Sequence, residues 1–183
     1  MRRQLLIRAV GLCTMWAAAW TGQAFATERQ AEDAVKAAFV LRFPGYVEWP
    51  TPTTHATPPR TFDVAVLGND VLGQHMSRLA EGRSVMNLPV RVRRINSIRE
   101  VGDAHVLYIA ADHRGSLREL IAPIARRGIL IVTNEDNALA AGSMINLLLA
   151  DRHVRFEVSL PAAHSSQLRI SSELLALAVR VQK

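Results

Sequence analysis

Cysteine is almost absent from this chain of 183 residues. The single cysteine, Cys13, lies in an N-terminal segment that we expect to be removed. The remaining chain can then form no disulfide, and it has no thiol for catalysis or for binding a metal. Stability must come from packing, and the apolar share of 49% is sufficient for a hydrophobic core.

Sequence motifs of catalysis and metal binding are also missing. None of the six histidines stands in an HExxH or HxH spacing, and no GxSxG is present. The turn GNDVLG at residues 68–73 lacks the GxGxxG spacing and a Lys, Ser or Thr to engage phosphate, so it indicates a structural turn. We predict a protein that is not an enzyme and needs no cofactor or metal, and scattered catalytic residues are the alternative.

The excess of positive charge is concentrated at the N-terminus. The chain has 22 Lys and Arg against 16 Asp and Glu, and three of the arginines are Arg2, Arg3 and Arg8. Without them the balance is 19 against 16, or +3. Nucleic-acid binding requires a concentrated basic face with aromatic platforms, so this class of function is not predicted.

The N-terminus has the pattern of a secretory signal peptide. Three arginines precede an apolar stretch at residues 9–20, and small residues follow at Ala24 and Ala26. We expect a signal peptide at residues 1–26, cleaved after Ala26, and an uncleaved anchor is the alternative. The mature chain of residues 27–183 has a length typical of one domain.

Apolar periodicity predicts an α/β fold. Continuous apolar runs, typical of buried strands, alternate with helical patterns. These runs occupy residues 62–68, 105–110 and 128–134. Residues 90–95 alternate apolar residues with Arg91 and Arg93, which indicates a half-exposed strand whose arginines either steer an anion or, as we favour, protect an edge. We predict a single domain with a mixed sheet and helices on both faces, a Rossmann-like sandwich.

The two ends of the mature chain are predicted to be helical. The first helix should bury a stripe that includes Ala34, Val35 and Phe39, with Glu32 and Lys36 on its solvated side. The last helix should begin at Ser171 or Ser172 and continue to Val181. Before it, residues 143–151 and 153–160 predict a hairpin with one solvated face, on which Glu157 stands.

An aromatic run follows the first helix. Phe43, Tyr46 and Trp49 recur every three residues around the helix-breaking Pro44-Gly45. Large aromatic side chains are mostly core material, so the run indicates a plug against the sheet. An exposed rim for a partner or a planar ligand is the alternative.

Three segments together resemble a known family. They are KAAFVLRFPGYVEWP at residues 36–50, AGSMINLLLADRHVRFEVSL at residues 141–160 and LRISSELLALA at residues 168–178. In order and spacing they resemble the YfiR family of exported bacterial proteins, over nearly the whole mature chain.

The resemblance implies a periplasmic regulatory protein. Such a protein binds the periplasmic sensory domain of an inner-membrane diguanylate cyclase and represses it, which lowers cyclic di-GMP and biofilm formation. The family also implies a homodimer, and a small ligand or envelope stress would weaken the complex. Some members have cysteine pairs where this chain has Leu139 and Asn146, so redox control of that kind is excluded here.

The resemblance also suggests binding residues. A ligand groove in the family corresponds here to Glu157 and Arg169, for which an ion pair between the two is the structural alternative. Ile145 and Trp49 would form an apolar wall of this groove or of the receptor contact, unless both belong to the core. The alternative function is a periplasmic ligand-binding subunit for a sensor kinase or a TonB-dependent uptake system.

Overall fold

The computed structural model describes residues 29–50, 59–68 and 70–183 of the chain. The predicted signal peptide and its cleavage site lie outside these ranges. The first helix, α1, covers residues 29–42 and leads into a 3-10 turn, Phe43–Tyr46. The other helices are α2 (Asp70–Ala80), α3 (Leu117–Ile121), α4 (Ala138–Ala141), α5 (Leu160–Ser165) and α6 (Ser172–Leu177).

An eight-stranded mixed sheet forms the centre of the fold. The strands of the protein are β1 (Val47–Glu48), β2 (Phe62–Leu67), β3 (Ser84–Val85), β4 (Leu88–Ile95), β5 (Val106–Ile109), β6 (Leu130–Thr133), β7 (Ile145–Ala150), β8 (His153–Ser159), β9 (Arg169–Ile170) and β10 (Arg180–Gln182). The order in the sheet is β10-β8-β7-β6-β5-β2-β4-β3, and β1 pairs separately with β9. The strands from β4 to β7 in this order are parallel, as the apolar runs and intervening helices predict.

Helices cover both faces of the eight-stranded sheet, which confirms the predicted α/β class with a mixed sheet. The aligned residues Val66, Tyr108, Val132 and Ile145 point to one face. This face is covered by α1 with the 3-10 turn after it, and by α2. The Phe39 ring of α1 and the Phe43 ring of the turn both contact Phe156, and Gly73 of α2 lies close to Val66.

The other face of the sheet packs against α3 and α4. Thr133 points to this face and contacts Ser143, which stands just after α4. Gly142 at the end of α4 lies against Ile121 of α3, so the two helices pack together there. Within the described ranges, no helix combines the length and the apolarity that a membrane crossing requires.

The buried face of α1 differs from the predicted one. Val35 is exposed, whereas Ala37, Val40 and Leu41 are buried. The predicted pair does form, with Lys36 Nζ 2.5 Å from Glu32 Oε1, but Lys36 is buried. The side of α1 that faces the sheet is therefore the one that carries Ala37, Val40 and Leu41.

The last helix is shorter than predicted. Helix α6 begins after Ser171, whose hydroxyl accepts a hydrogen bond from the Leu174 amide, and it ends at Leu177. The chain is extended from Ala178, and the Val179 amide donates to the Phe156 carbonyl. Strand pairing with β8 therefore replaces the helical continuation that the apolar periodicity predicts as far as Val181.

Candidate binding site

A buried carboxylate lies at the centre of the candidate site. Glu157 in β8 stands opposite Asn146 of β7 and Arg180 of β10. Asn146 Nδ2 donates to Glu157 Oε1 at 3.0 Å, while Arg180 Nε donates to Oε2 at 2.8 Å. Glu157 is only 6% exposed, so the prediction that it stands on a solvated face is wrong. Strand β10 covers that edge of β8, and its arginine neutralises the carboxylate.

Asn146 connects this carboxylate to further polar groups. Its Oδ1 lies 2.8 Å from Thr133 Oγ1 and accepts from the Glu135 amide at 3.1 Å. Thr133 Oγ1 also lies 2.8 Å from Ser143 Oγ, and the Glu135 carboxylate lies 2.8 Å from His113 Nε2. The buried hydrogen bonds among Thr133, Ser143, Asn146 and Glu157 favour one arrangement of the strands over alternatives. The network therefore fixes the relation between β6, β7, β8 and β10.

Trp49 and Arg169 lie near the two-stranded ladder. Arg169 in β9 is exposed and stands opposite Glu48 of β1, the residue before Trp49. Trp49 is half-buried: its Nε1 donates to the Gly128 carbonyl at 3.0 Å, and its ring meets Phe62 edge-on at 5.6 Å. The aromatic run is thus largely the predicted plug, since Phe43 is buried and both Tyr46 and Trp49 pack against the core.

The four residues suggested by the resemblance do not line one groove. Ile145 is completely buried and pairs with Val158, so its side chain lies on the face covered by α1. Glu157 follows the opposite alternation and points to the other face. In the described part of the chain the ion-pair partner of Glu157 is Arg180, so the expected pair with Arg169 is wrong.

Asn146 and Arg180 are the residues that the sequence analysis missed as parts of this site. The predicted helix to Val181 placed Arg180 on a helix surface and so concealed its position beside β8. The sequence around Glu157 gave no local signal for a buried partner, because its polar and apolar residues alternate as in a half-exposed strand. Only the strand order identifies that partner.

The arginines of β4 form local contacts. Arg91 Nε donates to Asp63 Oδ1 at 2.9 Å, and Arg93 donates to the backbone carbonyls of Glu100 and Val101. Burial raises the pKa of Asp63, but hydrogen bonds from Arg91 and Thr61 outweigh this effect and hold the pKa below 3.8. Both arginines thus have structural partners within the protein, and their proposed role in protecting an edge stays a prediction. Within residues 29–50, 59–68 and 70–183, no group of three or more His, Cys, Asp or Glu is placed to hold a metal ion.

Comparison with known proteins identifies the family. No curated protein shows significant similarity to the chain. Among solved structures, a conserved domain protein from Vibrio cholerae O1 biovar eltor str. N16961 aligns with a TM-score of 0.45 and 10% identity, over 68% of this chain and 56% of that one. The ABC domain in complex with L-Trp from Streptococcus pneumonia aligns with a TM-score of 0.47 and 9% identity, over 65% of this chain and 54% of that one. This chain spans little more than half of either protein. Residues 33–179 match the sequence profile described as YfiR/HmsC-like, and the chain therefore belongs to the YfiR/HmsC-like family.

Proposed function

We propose that this protein is a periplasmic repressor of an inner-membrane diguanylate cyclase. It would bind the periplasmic sensory domain of the cyclase and thereby lower cyclic di-GMP and biofilm formation. The observation that supports this proposal is the family match, which spans residues 33–179. The family itself consists of regulatory proteins of the periplasm, which agrees with the signal peptide proposed at residues 1–26.

Repression would operate by a shift of population. A protein that binds the inactive conformation of the cyclase more tightly than the active one increases the inactive fraction. A small ligand that weakens the complex would release the cyclase. The change in the inactive fraction is limited by the ratio of the affinities for the inactive and active conformations. A strong repressor must therefore bind the inactive conformation much more tightly.

Two exposed arginines are proposed as points of contact with the receptor. Arg169 is exposed on β9, and the Arg180 side chain keeps 62% of its surface exposed although it binds Glu157. Of the four residues suggested by the resemblance, Arg169 and Trp49 would contact the receptor directly. Glu157 would act by positioning Arg180, and Ile145 by supporting β7 from within the core.

We further propose a homodimer, which the mass of the purified protein in solution tests.

The test compares the cellular level of cyclic di-GMP in a deletion strain and in the same strain complemented with the wild-type gene. Deletion should raise cyclic di-GMP and biofilm mass, and the wild-type gene should restore both. Complementation with Arg169→Ala should restore repression incompletely. Arg78→Ala, which removes an exposed arginine from α2, is the matched control and should restore it fully.

Direct binding separates repression from an indirect effect. The purified protein should bind the isolated periplasmic domain of the cyclase, and Arg169→Ala should weaken that affinity. An unchanged level of cyclic di-GMP on deletion would contradict the proposal. It would favour a ligand-binding subunit for a sensor kinase or a TonB-dependent uptake system.

A further inference from the structure

A large cleft lies at the carboxyl ends of the parallel strands. Its volume is about 910 Å³, within the range of roughly 300–1,000 Å³ typical of small-molecule sites. The lining comes from the segments that follow three neighbouring strands: Gly68 follows β2, residues 96–98 follow β4 and residues 112–114 follow β5. None of the residues suggested by the family resemblance lines this cleft.

The cleft lies where successive strand connections run in opposite directions across the sheet. From β2 the chain proceeds through α2 to β4 on one side, whereas from β5 it proceeds through α3 to β6 on the other side. The two connections diverge, which leaves a crevice between the ends of β2 and β5. Open α/β sheets bind their ligands in crevices of this kind.

Two arginines and one aspartate provide the charge of the lining. Arg94 and Arg114 are cationic, and Asp112 is anionic. The stem of Arg94 lies against Gly73 of α2, where a Cβ atom would come within 3.2 Å of Arg94 Cδ. The missing side chain at Gly73 therefore leaves the space through which Arg94 reaches the cleft.

Asp112 lies very close to the turn after β2. A Cβ atom on Gly68 would stand 2.5 Å from Asp112 Oδ1, and Gly68 has a φ of +78°. Both the backbone conformation and the close approach favour glycine at this position. The Asp112 carboxylate thus lies against the turn, in the same cleft lining as the two arginines.

His113 lines the cleft, and its two ring nitrogens have different surroundings. Its side chain is 4% exposed, and Nε2 lies 2.8 Å from the Glu135 carboxylate. An ionised carboxylate only accepts hydrogen bonds, so Nε2 is the donor in this pair. Nδ1 is buried and has no hydrogen-bond partner among the described residues. Such atoms usually obtain a partner from water or from a bound molecule.

We propose that this cleft binds a small organic anion that also bears hydroxyl groups. Arg94 and Arg114 would bind its phosphate or carboxylate group, because guanidinium groups match the geometry of both. Asp112 would accept a hydrogen bond from a hydroxyl group of the same molecule. The site does not depend on the proposed cyclase partner, since its ligand binding is measured on the purified protein alone.

Calorimetric titration with four probes at equal ionic strength tests the proposal. Glucose 6-phosphate represents a hydroxylated phosphate, gluconate a hydroxylated carboxylate, inorganic phosphate the anion alone and glucose the hydroxyl groups alone. At least one hydroxylated anion should bind saturably and more tightly than inorganic phosphate, and glucose should not bind. Which hydroxylated anion binds better distinguishes a phosphate ligand from a carboxylate ligand.

Variants locate the binding. Arg94→Gln should weaken the affinity for the anionic probes by roughly tenfold, the usual effect of losing one charge-assisted hydrogen bond. Arg78→Gln makes the same change of charge on α2 and should leave the affinity unchanged. Asp112→Asn should weaken binding of the hydroxylated anion more than binding of inorganic phosphate. Thermal melting of each variant verifies that it is folded.

Several results would overturn the proposal. The site is excluded if neither hydroxylated anion binds, or if Arg78→Gln weakens binding as much as Arg94→Gln does. It is also excluded if amide NMR shifts on titration occur away from residues 94–98 and 112–114. If Asp112→Asn changes the affinities for hydroxylated and simple anions by the same factor, the role assigned to the hydroxyl groups is wrong.

Discussion

Glu157 illustrates how the surroundings of one residue determine its role. Its strand alternates polar and apolar residues, which is typical of a half-exposed strand. In the structure its carboxylate is enclosed between Asn146 and the exposed Arg180. Removing one member of such a buried hydrogen-bonded pair destabilises the protein, because the remaining polar group is left without a partner.

We expect Glu157→Ala to lower the free energy of unfolding by about 1–3 kcal/mol, because Asn146 Nδ2 loses its buried acceptor. Arg169→Ala is the surface control and should change it by less than about 0.5 kcal/mol. Urea denaturation of both variants measures the difference. Equal stability of Glu157→Ala and the wild type would show that the buried contacts contribute nothing net.

His105 is expected to make stability depend on pH. Its Nδ1 accepts a hydrogen bond from the Asp63 amide at 3.1 Å, and its ring stacks on Phe62 at 4.5 Å. Burial lowers the pKa of His105 below 6.5, although the Asp63 and Asp103 carboxylates partly oppose this shift. Protonation of Nδ1 would also remove the acceptor that the Asp63 amide uses.

The sign of the pH effect follows from linkage. Between the folded pKa and the unfolded value near 6.5, the unfolded chain binds more protons, so stability rises with pH in this window. Stability should therefore be complete above about pH 6.5 and decrease as the pH falls below it. His105→Gln should reduce this slope, whereas His164→Gln, at an exposed position, should retain it. Identical slopes in all three proteins would contradict the assignment to His105.

At the scale of elements, the short helix α4 depends on the residues at its two ends. Asn137 before it and Gly142 after it both have positive φ, 58° and 109°. The Gly142 amide donates to the Leu139 carbonyl, and the Ser143 amide to the Ala138 carbonyl. The glycine thus ends the helix and directs Ser143 towards the buried network.

Gly142→Ala should destabilise the protein by at least about 1–2 kcal/mol, because a residue with a Cβ is strained at this φ. The new atom would also lie 3.1 Å from Ile121 Cγ2 of α3. Gly45→Ala is the matched control, since a Cβ there has no neighbour within 4 Å. Thermal melting compares the two variants, and a similar loss in both would refute the explanation.

The same sheet supports two separate regions at the scale of the whole molecule. The anion cleft lies at the ends of β2, β4 and β5, whereas Glu157 and Arg180 lie at the side formed by β8 and β10. The polar contacts from His113 through Glu135 and Asn146 connect the two regions. A ligand in the cleft thus has a physical connection to the edge that we propose for the receptor.

Stability of the chain without the proposed signal peptide should not respond to reductant. The single cysteine of the sequence is Cys13, within the proposed signal peptide. Leu139 and Asn146 stand where the resemblance implies cysteines in some members of the family. Dithiothreitol should leave the melting temperature unchanged, and the intact mass should correspond to a chain that begins at Thr27. A larger mass together with a reductant-sensitive oligomer would show that Cys13 is retained.

Features that depend on residues close together in the sequence were predictable from it. The buried parallel strands, the shortening of α3 before Pro123 and the capping of α6 by Ser171 all follow from local composition, turn residues and capping. The hairpin of β7 and β8 was predicted as well, and its turn at Asp151 and Arg152 has the positive φ values that tight hairpins adopt.

The tertiary structure alone decided which polar residues are buried and where the two candidate regions lie. Glu157 and Arg180 are 23 residues apart and meet only because β10 pairs with β8. The buried side of α1 and the end of α6 were mispredicted for the same reason, since a sheet or a strand partner overrode the local helical pattern. Apolar periodicity shows which face of a helix or strand favours burial. The partner on that face depends on strand order, which arises from contacts distant in sequence.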